Sequence, residues 1–247
     1  MDINDAWKST CKSIFGKEIG ELKKYEKYLK EAVPGMEVES SFSGKKMFAA
    51  AEDYAKGSKF YDYQGETAEI EKLNTPFDIN EIKDIDSLIG QARERFVYSS
   101  NKVLGNSANV HNSDIVIDSM NVFDSNNIAR CKNIKYGFWV RDSENIFGGA
   151  SFGFGTNVVH SYYNKNLTRA FECTVSEYLS DSLFCYNTFN SSDCMFCFNL
   201  RNKHNMIANI QLAKEQYVGL KKGLMEQITD ELEHKGRLGF SMLDLFG

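Results

Sequence analysis

Between Asn106 and Phe147 the chain reads NSANVH, NSDIVI, DSMNVF, DSNNIA, RCKNIK, YGFWVR and DSENIF, seven hexads in unbroken register. The fifth position is Val110, Val116, Val122, Ile128, Ile134, Val140 and Ile146; the second is Ser107, Ser113, Ser119, Ser125, Cys131, Gly137 and Ser143. A six-residue unit cannot bury its own apolar residue. It has to stack on copies of itself, so this repeat confines the segment to a solenoid. With looser chemistry the register runs on to about Ala213. The small position continues through Gly149, Gly155, Ser161, Cys173, Cys185, Ser191 and Cys197, and the aliphatic one recovers at Cys194, Leu200, Met206 and Leu212.

Side chains along a strand alternate faces. The aliphatic and small positions are three apart, so a bend must separate them in every hexad. The expectation is a polygonal coil, triangular with three hexads per turn, or two-sided with twelve residues per turn. The aliphatic residue fills the interior and the small one sits where the backbone closes at a corner. Asn109, Asn121, Asn127, Asn133, Asn145 and Asn157 suit the bends, because Asn tolerates the left-handed conformation. Stacked Asn side chains also hydrogen-bond along a ladder.

This pattern resembles the hexapeptide-repeat β-helix class, in which the small residue usually follows the aliphatic one by four positions. Here it follows by three, which leaves handedness open. The segment Phe196 to Tyr217, FCFNLRNKHNMIANIQLAKEQY, is similar to the closing segment of uncharacterised solenoid proteins from archaea and candidate-phylum bacteria. The resemblance implies architecture and carries no activity.

The flanks have a different texture. Trp7, Cys11, Ile14 and Phe15 predict a short helix ending near Gly16. Ile19, Leu22, Tyr25, Leu29 and Val33 predict a second, stopped by Pro34-Gly35. A third is expected over 45–56, and a fourth over 82–98, where Ile85, Leu88, Ile89, Ala92 and Phe96 form a stripe. After the repeat, Tyr217, Leu220, Leu224, Ile228 and Leu232 predict a capping helix ended by Gly236. The fold class expected is α+β: a mainly helical N-terminal region (1–99), a single-stranded parallel β-solenoid (100–213), then a capping helix and apolar tail (214–247).

Few chemistries present themselves. A net charge of −5 argues against general nucleic-acid binding. No run approaches the roughly 18 apolar residues of a membrane span. MDINDAWKST has neither a basic stretch nor an apolar core, so the expected location is cytoplasmic, or the virion if the protein is viral, with reduced thiols. Cys194-Met-Phe-Cys197 is a CxxC, but Cys131, Cys173, Cys185 and Cys197 occupy the small position and Cys194 the aliphatic one, which reads as packing rather than metal ligation. The four histidines, His111, His160, His204 and His234, do not align on one corner of the repeat. His160 or His111 is the candidate general base if the chain is an acyltransferase. Asp181 and Asp193, twelve residues apart, are the best carboxylate pair for a polysaccharide-cleaving reading. The glycines from Gly148 to Gly155 fit no phosphate-loop pattern and read as tight corners. No catalytic residue, cofactor or metal is assigned.

Aromatic residues crowd the second half of the repeat, from Tyr136 to Phe198. Either the N-terminal helices cover them or they form a contact surface for protein or carbohydrate. The tail is apolar where a solvated tail is polar. It either packs back on its own domain or docks into a partner through Leu238, Phe240, Leu243, Leu245 and Phe246. The first functional expectation is therefore a non-enzymatic scaffold or assembly protein with a protein partner or self-association. The alternatives are a hexapeptide-type acyltransferase and a polysaccharide-binding or polysaccharide-cleaving β-helix.

Overall fold

The computed structural model describes residues 2–31, 33–51, 53–149, 158–160, 169–242 and 244. Helix α1 (Ile3–Phe15) is capped at its start by Asp2 and ended by Gly16 in the left-handed conformation. A 3₁₀ turn (Leu22–Tyr25) and the single-turn helix α2 (Glu26–Leu29) take the place of the longer helix expected over 19–33. The helix expected over 45–56 is absent. Strand β2 (Lys46–Ala49) lies there instead, antiparallel to β1 (Met36–Glu39). The helix-forming stretch Met47–Ala51 loses to the pairing partner that Met36–Glu39 offers, which closes a small core of Val38, Met47, Ala49 and Phe60. Strand β3 (Phe60–Asp62) pairs with β4 (Tyr98–Ser100), and between them lie helices α3 (Thr67–Leu73) and α4 (Ile85–Arg95).

From Val103 to Ile207 the chain coils as a parallel β-solenoid. Its early strands are β5 (Val103–Leu104), β6 (Ala108–His111), β7 (Asp114–Ile117), β8 (Met120–Phe123), β9 (Asn126–Ala129), β10 (Lys132–Lys135), β11 (Phe138–Arg141) and β12 (Glu144–Phe147). They form two sheets, ordered β6-β8-β10-β12 and β5-β7-β9-β11. Val110 faces Val122, Val122 faces Ile134 and Ile134 faces Ile146; on the other sheet Val116 faces Ile128 and Ile128 faces Val140. Every one of these partners is twelve residues away, so the coil takes the twelve-residue form and not the triangular one.

The backbone explains the number. Every third residue from Asn109 to Asn145, and again from Arg169 to Ala208, has a left-handed φ near +50°. Each one turns the chain, and four such corners close one coil. The underlying unit is a triad of one inward residue, one outward residue and one corner; the hexad appears because large and small inward residues alternate. A left-handed corner costs most L-residues roughly 1–2 kcal/mol, and Asn and Asp are the usual exceptions. Asn109, Asn112, Asp118, Asn121, Asp124, Asn127, Asn133, Asp142 and Asn145 all occupy corners. The expected asparagine ladder is present: Asn109 donates to Asn121, Asn121 to Asn133 and Asn133 to Asn145, at 2.8, 2.8 and 2.9 Å.

The small residues are not at the corners. They follow them and face the interior, beside the fully buried Val116, Val122, Ile128, Ile134, Val140 and Ile146. A Cβ at Gly137 would lie 2.7 Å from the Ile134 Cγ2, which is why a larger residue does not fit opposite the isoleucine. Serine is preferred at these positions because a hydrogen bond is missing there. The Ser125 hydroxyl donates to the Phe123 carbonyl (2.6 Å) and accepts the Gly137 N–H of the next coil (3.0 Å); Ser113 and Ser119 bridge coils in the same way. Ser125→Ala is expected to cost about 1–3 kcal/mol, the penalty of a buried N–H without a partner, and Ser125→Cys less. Urea unfolding of both variants checks this.

The solenoid continues through β13 (Glu177–Ser180), β14 (Phe189–Met195) and β15 (His204–Ile207), and ends in β16 (Ile210–Gln211), which turns back antiparallel on β15. Helix α5 (Lys214–Lys235), stopped by left-handed Gly236, follows and packs against β15 with Tyr217 buried. One outer column, Phe147, Val159, Phe171, Leu183 and Met195, is fully covered. Trp7, Phe15, Leu22 and Leu29 cover it from the N-terminal side, and Ile228, Leu232, Leu238 and Met242 from the C-terminal side. Trp7 stands edge-on to Phe147 at 5.3 Å and Phe15 edge-on to Phe171 at 5.0 Å. The outward aromatics are thus in large part an internal interface, and this second core fastens both ends of the chain to the solenoid.

Candidate functional sites

Four groups of side chains have chemistry worth weighing. The first is buried beneath the cover, where His160 and Glu172 occupy the same corner in successive coils, and neither is exposed. His160 Nδ1 lies 3.0 Å from Glu172 Oε1, the Tyr28 hydroxyl donates to the same oxygen, and the Met242 N–H donates to Oε2 at 3.0 Å. His160 Nε2 is 3.7 Å from Glu31. An imidazole, a carboxylate and a phenol in contact are the parts of an acid–base relay. Here they are sealed from solvent and tie together α2, the solenoid and the tail. The other candidate base, His111, is exposed, lies 3.0 Å from Asn109 Oδ1 and stacks on Phe123.

The second group is a column of thiols. Cys173, Cys185 and Cys197 occupy one inward position in three successive coils, with Cys194 beside the last, all within the solenoid core. Each thiol donates to a backbone carbonyl, as Cys185 does to Leu183 at 3.4 Å. The neighbouring thiols of Cys173 and Cys197 push the Cys185 thiol up, and Cys197 pushes Cys194 up, while Cys197 is itself drawn down by Cys185 and Cys194. Cys131 sits in the first half of the coil, where burial pushes its thiol up to about 11. At Cys131 burial and a raised pKa together make an unreactive packing residue.

The third is the carboxylate pair. Asp181 and Asp193 are corners of adjacent coils, and Arg169 of the preceding coil holds Asp181 at 3.0 Å. A ladder of one cation and two carboxylates on an exposed edge offers no base opposed to an acid across a cleft. The glycine run has only Gly148 and Gly149 among the described residues, both with positive φ, and a Cβ at Gly148 would strike Leu29.

The fourth comprises the two apolar segments outside the solenoid. In the tail, Leu238 and Met242 are buried and Phe240 packs over Phe184 and Phe196 at 5.4 and 6.1 Å. Leu243, Leu245 and Phe246 lie outside the described residues. The module α3–α4 is the opposite case: neither helix has a buried residue. Of the expected stripe, Ile85 is 72% exposed, Ile89 51% and Phe96 72%, with Ile79 beside them at 80%. A cleft of about 620 Å³ opens between the two helices and β4, lined by Ile70, Leu73, Phe77 and Phe96, and Arg95 stacks over Phe77 at 4.1 Å. Helical periodicity marked this stripe, but the same stripe arises whether the covering surface is the chain's own core or another molecule. Among the described residues no group of three or more His, Cys, Asp or Glu side chains is placed to hold a metal ion, and no helix is long and apolar enough to cross a membrane. No family model matches the chain, and neither a curated protein nor a solved structure is found to be similar to it.

Proposed function

We propose that this chain is a non-catalytic interaction scaffold, a rigid solenoid that holds the α3–α4 module out for a protein partner. One observation carries this reading: a capped, regular amphipathic helix buries none of its apolar stripe and leaves Ile85, Ile89 and the adjoining Phe96 largely in water. The capping box at Asp84 and Ser87 fixes the start of α4, so the stripe belongs to a formed helix. Exposed apolar patches of this kind mark interaction surfaces.

Charge narrows the partner. Between Thr67 and Arg95 there are seven carboxylates and four cations. The matching surface is an amphipathic segment with an apolar face and a basic rim. The tail residues Leu238, Phe240, Leu243, Leu245 and Phe246 are the second proposed contact, with Leu238 and Phe240 set against the same chain. A cytoplasmic or virion setting fits this reading, which needs neither cofactor nor metal.

The test is isolation of the native complex and identification of its members by mass spectrometry, repeated with Ile85→Asp combined with Ile89→Asp. The variant is expected to lose the partner with its melting temperature unchanged, because both side chains already face solvent. Retention of the same partner at the same yield would remove α4 as the docking face.

A further inference from the structure

The side of the solenoid next to the cover, between the corner column of Tyr178 and that of Asp181, carries a shallow groove along the coil axis. Its floor is formed by Ser191 and the Lys203 backbone, joined where the Lys203 N–H donates to the Ser191 hydroxyl at 3.1 Å. One wall is a column of corners, Tyr178, Asn190 and Asn202, in which the Asn190 amide donates to the Asn202 amide. The other wall is Ser180, Ser192 and His204, again one residue per coil. The groove is shallow and largely open to solvent, with a volume of about 400 Å³.

Tyr178 is the one aromatic member of its wall. It holds a left-handed φ of 54° at a corner that the next two coils give to asparagine, and for a tyrosine that conformation is strained. Its ring is 57% exposed, and neither a hydrogen bond nor a ring contact engages it among the described residues. Exposed bulky corners recur at Trp139 and Val175; what sets Tyr178 apart is that its exposed ring stands in line with rows of uncharged amides and hydroxyls. The bulky corners Tyr136, Phe184 and Phe196 differ, because the cover packs on them.

We infer that this groove binds a linear oligosaccharide, with a pyranose ring stacked on Tyr178 and its hydroxyls bonded along the amide and hydroxyl walls. An exposed phenol ring offers a π face to the C–H groups of a sugar. Asn190, Asn202, Ser180 and Ser192 supply donors and acceptors without fixed charge, repeated once per coil at the roughly 4.8 Å spacing of neighbouring strands. A polymer of hydroxylated rings laid along the axis meets the same pair of walls at each step. Stacked nucleobases are disfavoured, because Glu177, Asp181 and Asp193 flank the groove. This inference is independent of the protein contact proposed for α4.

The experiment measures binding of the full chain to immobilised hexasaccharides of glucose, mannose, N-acetylglucosamine and galacturonic acid, with single-stranded oligothymidine in parallel. The key variant is Tyr178→Asn, which puts the residue of the next two coils at this corner and removes the strain. It is expected to melt at or above the wild-type temperature and to bind the preferred hexasaccharide about two- to tenfold more weakly, the scale of a lost ring stack. Asn202→Ala is expected to weaken the same hexasaccharide while leaving the fold intact. Absence of binding to all four sugars overturns the inference. So does binding unaffected by Tyr178→Asn, or tighter binding of oligothymidine than of any sugar.

Discussion

Replacing Glu172 with alanine is expected to remove several kcal/mol of folding stability, at about 1–3 kcal/mol for each buried group that loses its hydrogen-bond partner. The carboxylate is fully buried and accepts from three directions: the Tyr28 hydroxyl, His160 Nδ1 and the Met242 N–H. Removing it takes one hydrogen-bond partner from each of the three groups where water does not reach. Because the three belong to α2, the solenoid and the tail, the loss should loosen the cover while the coils remain. Far-ultraviolet circular dichroism is expected to change little, whereas urea unfolding moves to lower concentration. Glu172→Gln is the discriminating control. Its amide carries one acceptor oxygen and one donor nitrogen, so it satisfies one side of the knot and opposes the other, and it should fall between wild type and alanine. An alanine variant within about 1 kcal/mol of wild type would mean that the cover is held by apolar packing alone.

The solenoid was legible because its inward positions obey a strict rule. Val116, Ile128 and Val140 are identical in environment, as are Val122, Ile134 and Ile146, so selection on volume leaves a visible period. The length of the coil was not legible. Both halves of the circuit use the same hexad, and a sequence cannot tell two hexads per turn from three when each looks alike. The corner rule was half visible: Asn at position four announced one left-handed residue. The second corner of each hexad carries Asn112, Asp118, Asp124, Arg130, Tyr136 and Asp142, a mixture that hides the period of three. Once both corners are counted, serine's place at position two follows from the hydrogen bond it completes and not from tightness at a bend.

The flanks were less legible, for different reasons. Met47–Ala51 carries helix-forming residues yet forms a strand, because Met36–Glu39 offers an antiparallel partner and local propensity is worth little beside it. The cover was foreseen only as one of two fates for the aromatic residues. The column Phe147, Val159, Phe171, Leu183 and Met195 becomes visible as a single apolar stripe only at a period of twelve. The His160–Glu172 contact was hidden for the same reason: twelve residues apart in sequence, the two are neighbours only when the coil length is known.

Leu238→Ala and Met242→Ala are each expected to cost about 2–5 kcal/mol, the range for truncating a buried side chain. Both residues are 4% exposed and sit in the same core as Leu29, Phe171 and Leu232. Met242 has a second role, since its N–H satisfies Glu172 Oε2, and displacing the backbone there unseats the carboxylate as well. The effects should therefore couple: Met242→Ala combined with Glu172→Ala is expected to cost less than the sum of the two, as contacts within one network do. Deleting everything after Lys235 removes Leu238 and Met242 together, along with Phe240 from above Phe184 and Phe196. Its melting temperature should fall by roughly 8–40 °C, given about 2–4 °C per kcal/mol in a chain of this length. Light scattering beside the melt separates the two readings of the tail. A lowered melting temperature at unchanged mass identifies the tail as part of the cover. An unchanged melting temperature with loss of a higher-mass species would assign the tail to docking and move the interaction surface from α4 to the C-terminus.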